Sequence, residues 1–213
     1  MSDYVRRLPV YLLLDCSGSM SGEPIEAVRQ GIKALLTELK SDPQALETAC
    51  LSVITFNSTA RQISPLTELM LFKEPELTAG GAPALGGALC VLADCIRSEV
   101  RTSTATQKGD WKPLVFLLTD GAPTDNLDDG LDALKTVSYG NIIACAAGAN
   151  ANTNTLRKIT SNVLMMNNLT AGDLAAFFAW VSGSITASSK SIDAKPGEAI
   201  QLPPPPQGFV IVP

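Results

Sequence analysis

The stretch Val10-Tyr11-Leu12-Leu13-Leu14-Asp15-Cys16-Ser17-Gly18-Ser19 decides the fold. Its first five residues are apolar without a break. A continuous apolar run of strand length belongs to a strand covered on both faces, as in parallel sheets packed between helices. The run then gives way to Asp, Ser and Gly, the residue types of a tight polar turn. Cys50 to Phe56, Leu114 to Leu118 and Ile142 to Ala147 read as strands of the same kind. Ala60 to Ile63 alternates instead, which predicts one short antiparallel edge strand.

Between these runs the apolar residues recur at helical spacing. Ile25, Val28, Ile32, Leu35 and Leu39 form one stripe, and Pro24 suits a first helical turn. Further stripes run through Leu85, Leu89, Leu92, Ile96 and Val100, through Leu127, Leu131, Leu134 and Val137, and through Leu174, Phe177, Phe178, Val181 and Ile185. Buried strands alternating with helices predict an α/β fold, a doubly wound and mostly parallel sheet with helices on both faces. From about Ser188 the chain turns polar, then runs through Lys195-Pro196-Gly197 and Pro203-Pro204-Pro205-Pro206. Residues 1–188 are therefore expected to form the domain and 189–213 a proline-rich C-terminal tail. Four consecutive prolines favour an extended segment that cannot enter a central strand. Such a tail is a flexible extension, or Phe209 to Val212 pack on the domain or dock onto a partner.

Composition excludes several functions. In 213 residues, 16 Lys and Arg against 21 Asp and Glu leave a net charge of −5, so no basic footprint for nucleic acid exists. Apolar residues make up 46% and charged ones 17%, the balance of a globular protein with a large core. There is no histidine, which removes Ser-His-Asp and Cys-His catalysis and imidazole metal sites together. Any metal site must use oxygen or sulfur. The five cysteines, an odd number without a CxxC pair, indicate a reducing compartment. No signal peptide or membrane span is read, since the first apolar run ends at Asp15, and a cytoplasmic location is expected.

The chemistry gathers at two strand ends, Asp15-x-Ser17-x-Ser19 and Thr119-Asp120-Gly121. Ligands of open parallel sheets collect outside the carboxyl ends of the strands. Neighbouring strands lie about 4.8 Å apart, so Asp15 and Asp120 would face one ion if their strands pair. A hard divalent cation wants several oxygen ligands, and magnesium keeps some water. Gly18 lets the loop fold so that the Ser17 and Ser19 hydroxyls both point inward. An incomplete shell leaves a position for an acidic group from outside. Plainer readings exist beside this one. Ser17-Gly18-Ser19 is also a turn that caps a helix, and Asp125 suits a helix cap. Gly80, Gly81, Gly86 and Gly87 lack the spacing of a phosphate loop. Trp111 reads as a plug between loop and core, and Trp180 as core.

The two motifs together resemble the von Willebrand factor A domain and its metal-ion-dependent adhesion site, over roughly residues 5–188. Val10 to Asp15, Gly22 to Ile25 and Thr119 to Asp125 are similar to the bacterial cytoplasmic TerY-type members, which are linked to tellurite resistance and stress response. The resemblance implies a Rossmann-like fold and a non-catalytic, metal-dependent protein-interaction module. The cation would be Mg²⁺, or Mn²⁺ or Ca²⁺. Ser17 and Ser19 would bind it through their hydroxyls, and Asp15 and Asp120 largely through water or as supporting partners. A protein partner would present an acidic residue, with a co-encoded kinase or phosphatase as the candidate, and no nucleic acid or membrane span is involved. The family also expects a threonine where this chain has Pro83, which offers no side-chain oxygen. Thr78, five residues earlier, is the nearby hydroxyl. The departure means a weaker site, a water in place of the hydroxyl, or a lost site. The last outcome would make the protein a metal-free scaffold. A phosphohydrolase with Asp15 as nucleophile is the remaining alternative, but its pattern needs a second aspartate where Ser17 stands. A cysteine phosphatase built on Cys16 would want an arginine closer than Arg29.

Overall fold

The computed structural model describes residues 6–148, 151–191 and 202–212. The Lys195-Pro196-Gly197 segment lies outside the described residues. Strand β1 (Leu8–Asp15) leads through a single 3₁₀ turn, Gly18–Met20, into helix α1 (Glu23–Ser41). Pro24 stands in the first turn of α1, where its missing N–H costs nothing. Asp42 ends α1 and starts α2 (Pro43–Thr48), accepting the Ala45 N–H at 3.0 Å. The chain continues through β2 (Ala49–Phe56), β3 (Ala60–Glu68), α3 (Leu85–Glu99), β4 (Leu114–Thr119) and α4 (Leu127–Lys135). It closes with β5 (Asn141–Ala147), α5 (Thr153–Ile159), β6 (Asn162–Met166), α6 (Ala171–Ser191) and β7 (Phe209–Ile211).

The strands form one seven-stranded sheet in the order β3-β2-β1-β4-β5-β6-β7. Five of them, β2, β1, β4, β5 and β6, run parallel, while β3 and β7 pair antiparallel at the two edges. The doubly wound sheet read from the sequence is the observed one, and β7 adds a second antiparallel edge. Along β1, Leu8, Val10, Leu12 and Leu14 enter one core cluster with residues of α1 and α6, while Tyr11 and Leu13 enter the other with residues of α3, α4 and α5. That two-sided burial is why the strand sequence is apolar at every position.

After β1 the chain winds to β2 on one side, and after β3 it crosses back to β4 on the other. The direction of winding therefore reverses between β1 and β4, which pair in register, Leu14 beside Leu118. A crevice opens outside the carboxyl ends of two strands at such a reversal. Asp15 and Thr119 are the last residues of those strands.

Residues 202–212 return to the domain. The Trp180 indole N–H donates to the Pro203 carbonyl at 3.1 Å, and Leu202 and Phe209 pack on the α1–α6 side of the core. β7 joins at the sheet edge, beside β6, and the four prolines before it stay outside the ladder. Trp180 is a core residue, 9% exposed. Trp111 is half-buried against the core, with the Arg6 guanidinium 3.5 Å above its ring. Among the described residues no helix is long and apolar enough to cross a membrane.

Candidate metal centre

At the crevice the backbone leaves β1 and folds back on itself. Both oxygens of the Asp15 carboxylate are engaged. Oδ1 accepts the Ser17 N–H at 2.8 Å, and Oδ2 accepts the Thr119 hydroxyl proton at 2.6 Å. Asp15 thus ties the first loop to β4 and is 1% exposed. The Ser17 and Ser19 Oγ atoms are 3.1 Å apart, and Ser19 donates to Asp120 Oδ1 at 2.9 Å. With the Ser19 proton committed to Asp120, Ser17 must donate to Ser19, giving the direction Ser17 to Ser19 to Asp120. Ser17 is buried, Asp120 half-buried and Ser19 exposed, so this row of oxygens opens toward solvent.

Two carboxylates, Asp15 and Asp120, stand close enough here for the charge of one to act on the other. Among the described residues no lysine or arginine forms an ion pair with Asp15 or Asp120. Burial raises the Asp120 carboxyl above its ordinary range, the Ser19 hydrogen bond opposes the rise, and the negative Asp15 adds to it. A buried carboxylate without a counter-charge is costly unless a cation or a proton supplies one.

The donor set fits a hard divalent cation. Ligand oxygens at about 2.0–2.1 Å around an octahedral magnesium are spaced about 2.9 Å along each edge. The 3.1 and 2.9 Å separations of Ser17, Ser19 and Asp120 have that spacing. Among the described residues no three His, Cys, Asp or Glu side chains converge on a metal site, so the hydroxyls must supply part of the shell.

The structure brings Asp15, Ser17, Ser19 and Asp120 together. Thr78 does not join this hydrogen-bonded group. It is exposed and lines a shallow groove with Arg29, Glu74, Pro75, Glu76 and Leu77, and among the described residues no hydrogen bond joins it to the four. Pro83 does approach the site, its ring Cγ lying 3.4 Å from where a side chain on Gly121 would begin. Its carbonyl accepts the Thr124 N–H at 3.0 Å and the Thr124 hydroxyl at 3.2 Å. Two further residues, Thr119 and Asp125, hold the site's loops in place. Thr119 anchors Asp15 through its hydroxyl. Asp125 caps a helix, as its sequence context allows, but that helix is α3, 39 residues back, rather than the adjacent α4, which Asn126 caps.

Cys16 lies beside Asp15 but is 1% exposed. Burial, then the Asp15 charge, pushes its thiol up to about 12, the reverse of what a nucleophilic thiolate needs. Burial also raises Cys50 to about 11 and Cys95 to about 12. Of the five cysteines four are buried and Cys90 is half-buried, so a thiol reagent at pH 8 is expected to modify one residue in the native protein and all five in denaturant. Mass spectrometry that finds Cys16 labelled as fast as Cys90 would refute this packing.

Residues 10–178 match the von Willebrand factor type A domain family. No curated protein matches the chain. Among solved structures it is similar to proximal thread matrix protein 1 from the mussel byssus with a zinc-occupied MIDAS motif, at 19% identity and a TM-score of 0.59 over 84% of this chain and 48% of that one. A von Willebrand factor type A protein from Catenulispora acidiphila aligns at 20% identity and a TM-score of 0.63, over 86% of this chain and 43% of that one. The pilus adhesin SpaC from Lactobacillus rhamnosus GG, in an open conformation, aligns at 14% identity and a TM-score of 0.67, over 86% and 30%. The chain thus spans less than half the length of each of these three.

Proposed function

This chain belongs to the von Willebrand factor type A domain family, and from that premise we propose that it is a metal-dependent protein-interaction module without catalysis. The observation that carries the reading is the convergence of Asp15 and Asp120 with two serine hydroxyls, where among the described residues no lysine or arginine pairs with either carboxylate. The Ser17 and Ser19 hydroxyls and Asp120 would hold the ion, Mg²⁺ in the first place and Mn²⁺ or Ca²⁺ as alternatives. Asp15 orients Ser17 through its backbone N–H and fixes the first loop to β4 through Thr119. The zinc found at the MIDAS motif of the mussel byssus protein supports a divalent ion at this place. A bound cation supplies the local positive charge by which a protein of net charge −5 attracts a carboxylate from its partner.

A nucleophilic Asp15 is disfavoured, since both of its oxygens are spent on hydrogen bonds and the side chain is buried. Pro83 favours a second reading, a scaffold that works without metal, because its ring stands where the family expects a hydroxyl. We assign the binding role to residues 1–188 and a structural one to 189–213, whose described part adds β7. A cytoplasmic place agrees with five unpaired thiols. The TerY-type affiliation, with its tellurite stress role and its kinase or phosphatase partner, rests on Val10 to Asp15, Gly22 to Ile25 and Thr119 to Asp125 alone.

Calorimetric titration of the chain with Mg²⁺ and Mn²⁺ tests the metal. Wild type is expected to bind, and Ser17→Ala to weaken binding by about tenfold or more, the loss of one ligand at about 1.4 kcal/mol. Heats unchanged by that substitution would leave the scaffold reading in its place.

A further inference from the structure

Helix α3 begins without a cap of its own. Its N-cap residue is Ala84, which has no side-chain oxygen, and no local side chain caps the first turn. The first-turn donors are taken by Asp125 instead. Oδ1 accepts the Gly86 N–H at 2.9 Å and Oδ2 the Gly87 N–H at 2.7 Å. The close approach depends on glycine, for a Cβ on Gly86 would lie 2.2 Å from the Asn126 carbonyl oxygen and 3.1 Å from Asp125 Oδ2.

The same segment is bonded to the first ligand loop. Gly80 N–H donates to the Cys16 carbonyl and Gly18 N–H to the Gly81 carbonyl, each at 2.8 Å. Two side-chain hydrogen bonds join the loops that carry the site's oxygens, Asp15–Thr119 at the base and Ser19–Asp120 at the rim. Residues 80–87 bridge them a second time, gripping the Cys16–Gly18 turn at one end and the segment after Asp120 at the other.

We propose that Asp125 is a positioning residue for the cation site, holding Asp120 at its distance from Ser17 and Ser19 by clamping the 119–126 segment onto the start of α3. The role rests on the metal reading above. The loop that gives no ligand through Pro83 acts here as the frame between the two that do. A carboxylate suits the work, because its negative charge meets the positive end of the α3 dipole and it accepts two donors at once. An asparagine keeps the shape but offers one acceptor and sets an NH₂ group against the second backbone N–H.

The test uses the full chain and three variants, Asp125→Ala, Asp125→Asn and Asp42→Ala. The last removes a helix cap, and an ion pair with Lys190, at the opposite end of α1. In chelator, amide hydrogen exchange is expected to accelerate in residues 16–21 and 119–126 of Asp125→Ala, less in Asp125→Asn, and in neither segment of Asp42→Ala. Mn²⁺ affinity should fall about tenfold in Asp125→Ala and stay unchanged in Asp42→Ala, whatever the two lose in thermal stability. Unchanged exchange at 16–21, or equal Mn²⁺ affinity in wild type and Asp125→Ala, overturns the positioning role. A wild type that binds neither Mg²⁺ nor Mn²⁺ refutes the metal reading itself, and the exchange data then still decide whether the clamp exists.

Discussion

Replacing Gly31 by alanine is expected to lower stability by about 2 kcal/mol, although alanine is the better helix former. Gly31 lies in the middle of α1, and a Cβ there would sit 2.1 Å from Phe178 Cδ2 and 2.8 Å from two further ring atoms. Phe178 has no room to turn aside. It is 1% exposed and packs edge-on against Phe177, with ring centroids 5.3 Å apart. Helices α1 and α6 must therefore separate, and forcing an extra carbon into a filled core costs about 1–3 kcal/mol, here at the upper end. The gain in helix propensity returns about 1 kcal/mol. For a chain of this size the melting temperature should drop by about 4–8 °C. Phe178→Leu in the same molecule should recover part of the loss, so that the double variant is less unstable than the sum of the singles. A melting temperature within a degree of wild type would show that α1 and α6 do not pack as described.

The fold was legible where burial alone sets the pattern. β1, β2, β4 and β5 are covered on both faces and read as largely apolar runs, interrupted in β2 by the buried Ser52 and Thr55, and the long helices carry stripes because one side of each meets the sheet. What escaped was held by contacts distant in sequence. β6 has five residues with an exposed asparagine at its start, and β7 has three, placed by pairing with β6 rather than by any pattern of its own. The site divides in the same way. Asp15, Ser17, Ser19 and Asp120 could be named because each stands at or just beyond a strand end, where side chains must turn outward to the crevice. The place of Thr78 depended on the path of the loop from Leu69 to Ala84, which no periodicity fixes. The cap on α3 was hidden because its oxygens come from Asp125, far along the chain.

The second large effect is expected from the cation and its pH dependence. In chelator the Asp120 carboxyl titrates higher in the folded chain than in the unfolded one, because burial penalises its charge. Between the two values the folded protein holds more protons, so this group's stabilisation, complete at low pH, is lost as pH rises through the folded value. A divalent cation at the site favours the ionised form and reverses the trend. Magnesium at about a hundred times its dissociation constant should add about 2.7 kcal/mol at neutral pH. That corresponds to a rise of about 5–10 °C in melting temperature. The gain should shrink as pH falls through the acid range, because protons then compete for the same oxygens. Asp120→Asn separates this from ordinary loss of structure. Asparagine resembles the protonated carboxyl and keeps an oxygen for the Ser19 hydroxyl, so the variant in chelator should be at least as stable as wild type at pH 7, while most of the magnesium gain disappears. Stability raised and ion response lost is the signature of a charge kept for binding at a cost to the fold. Asp120→Asn melting lower in chelator yet still stabilised by magnesium would mean that Asp120 serves the structure and the ion sits elsewhere.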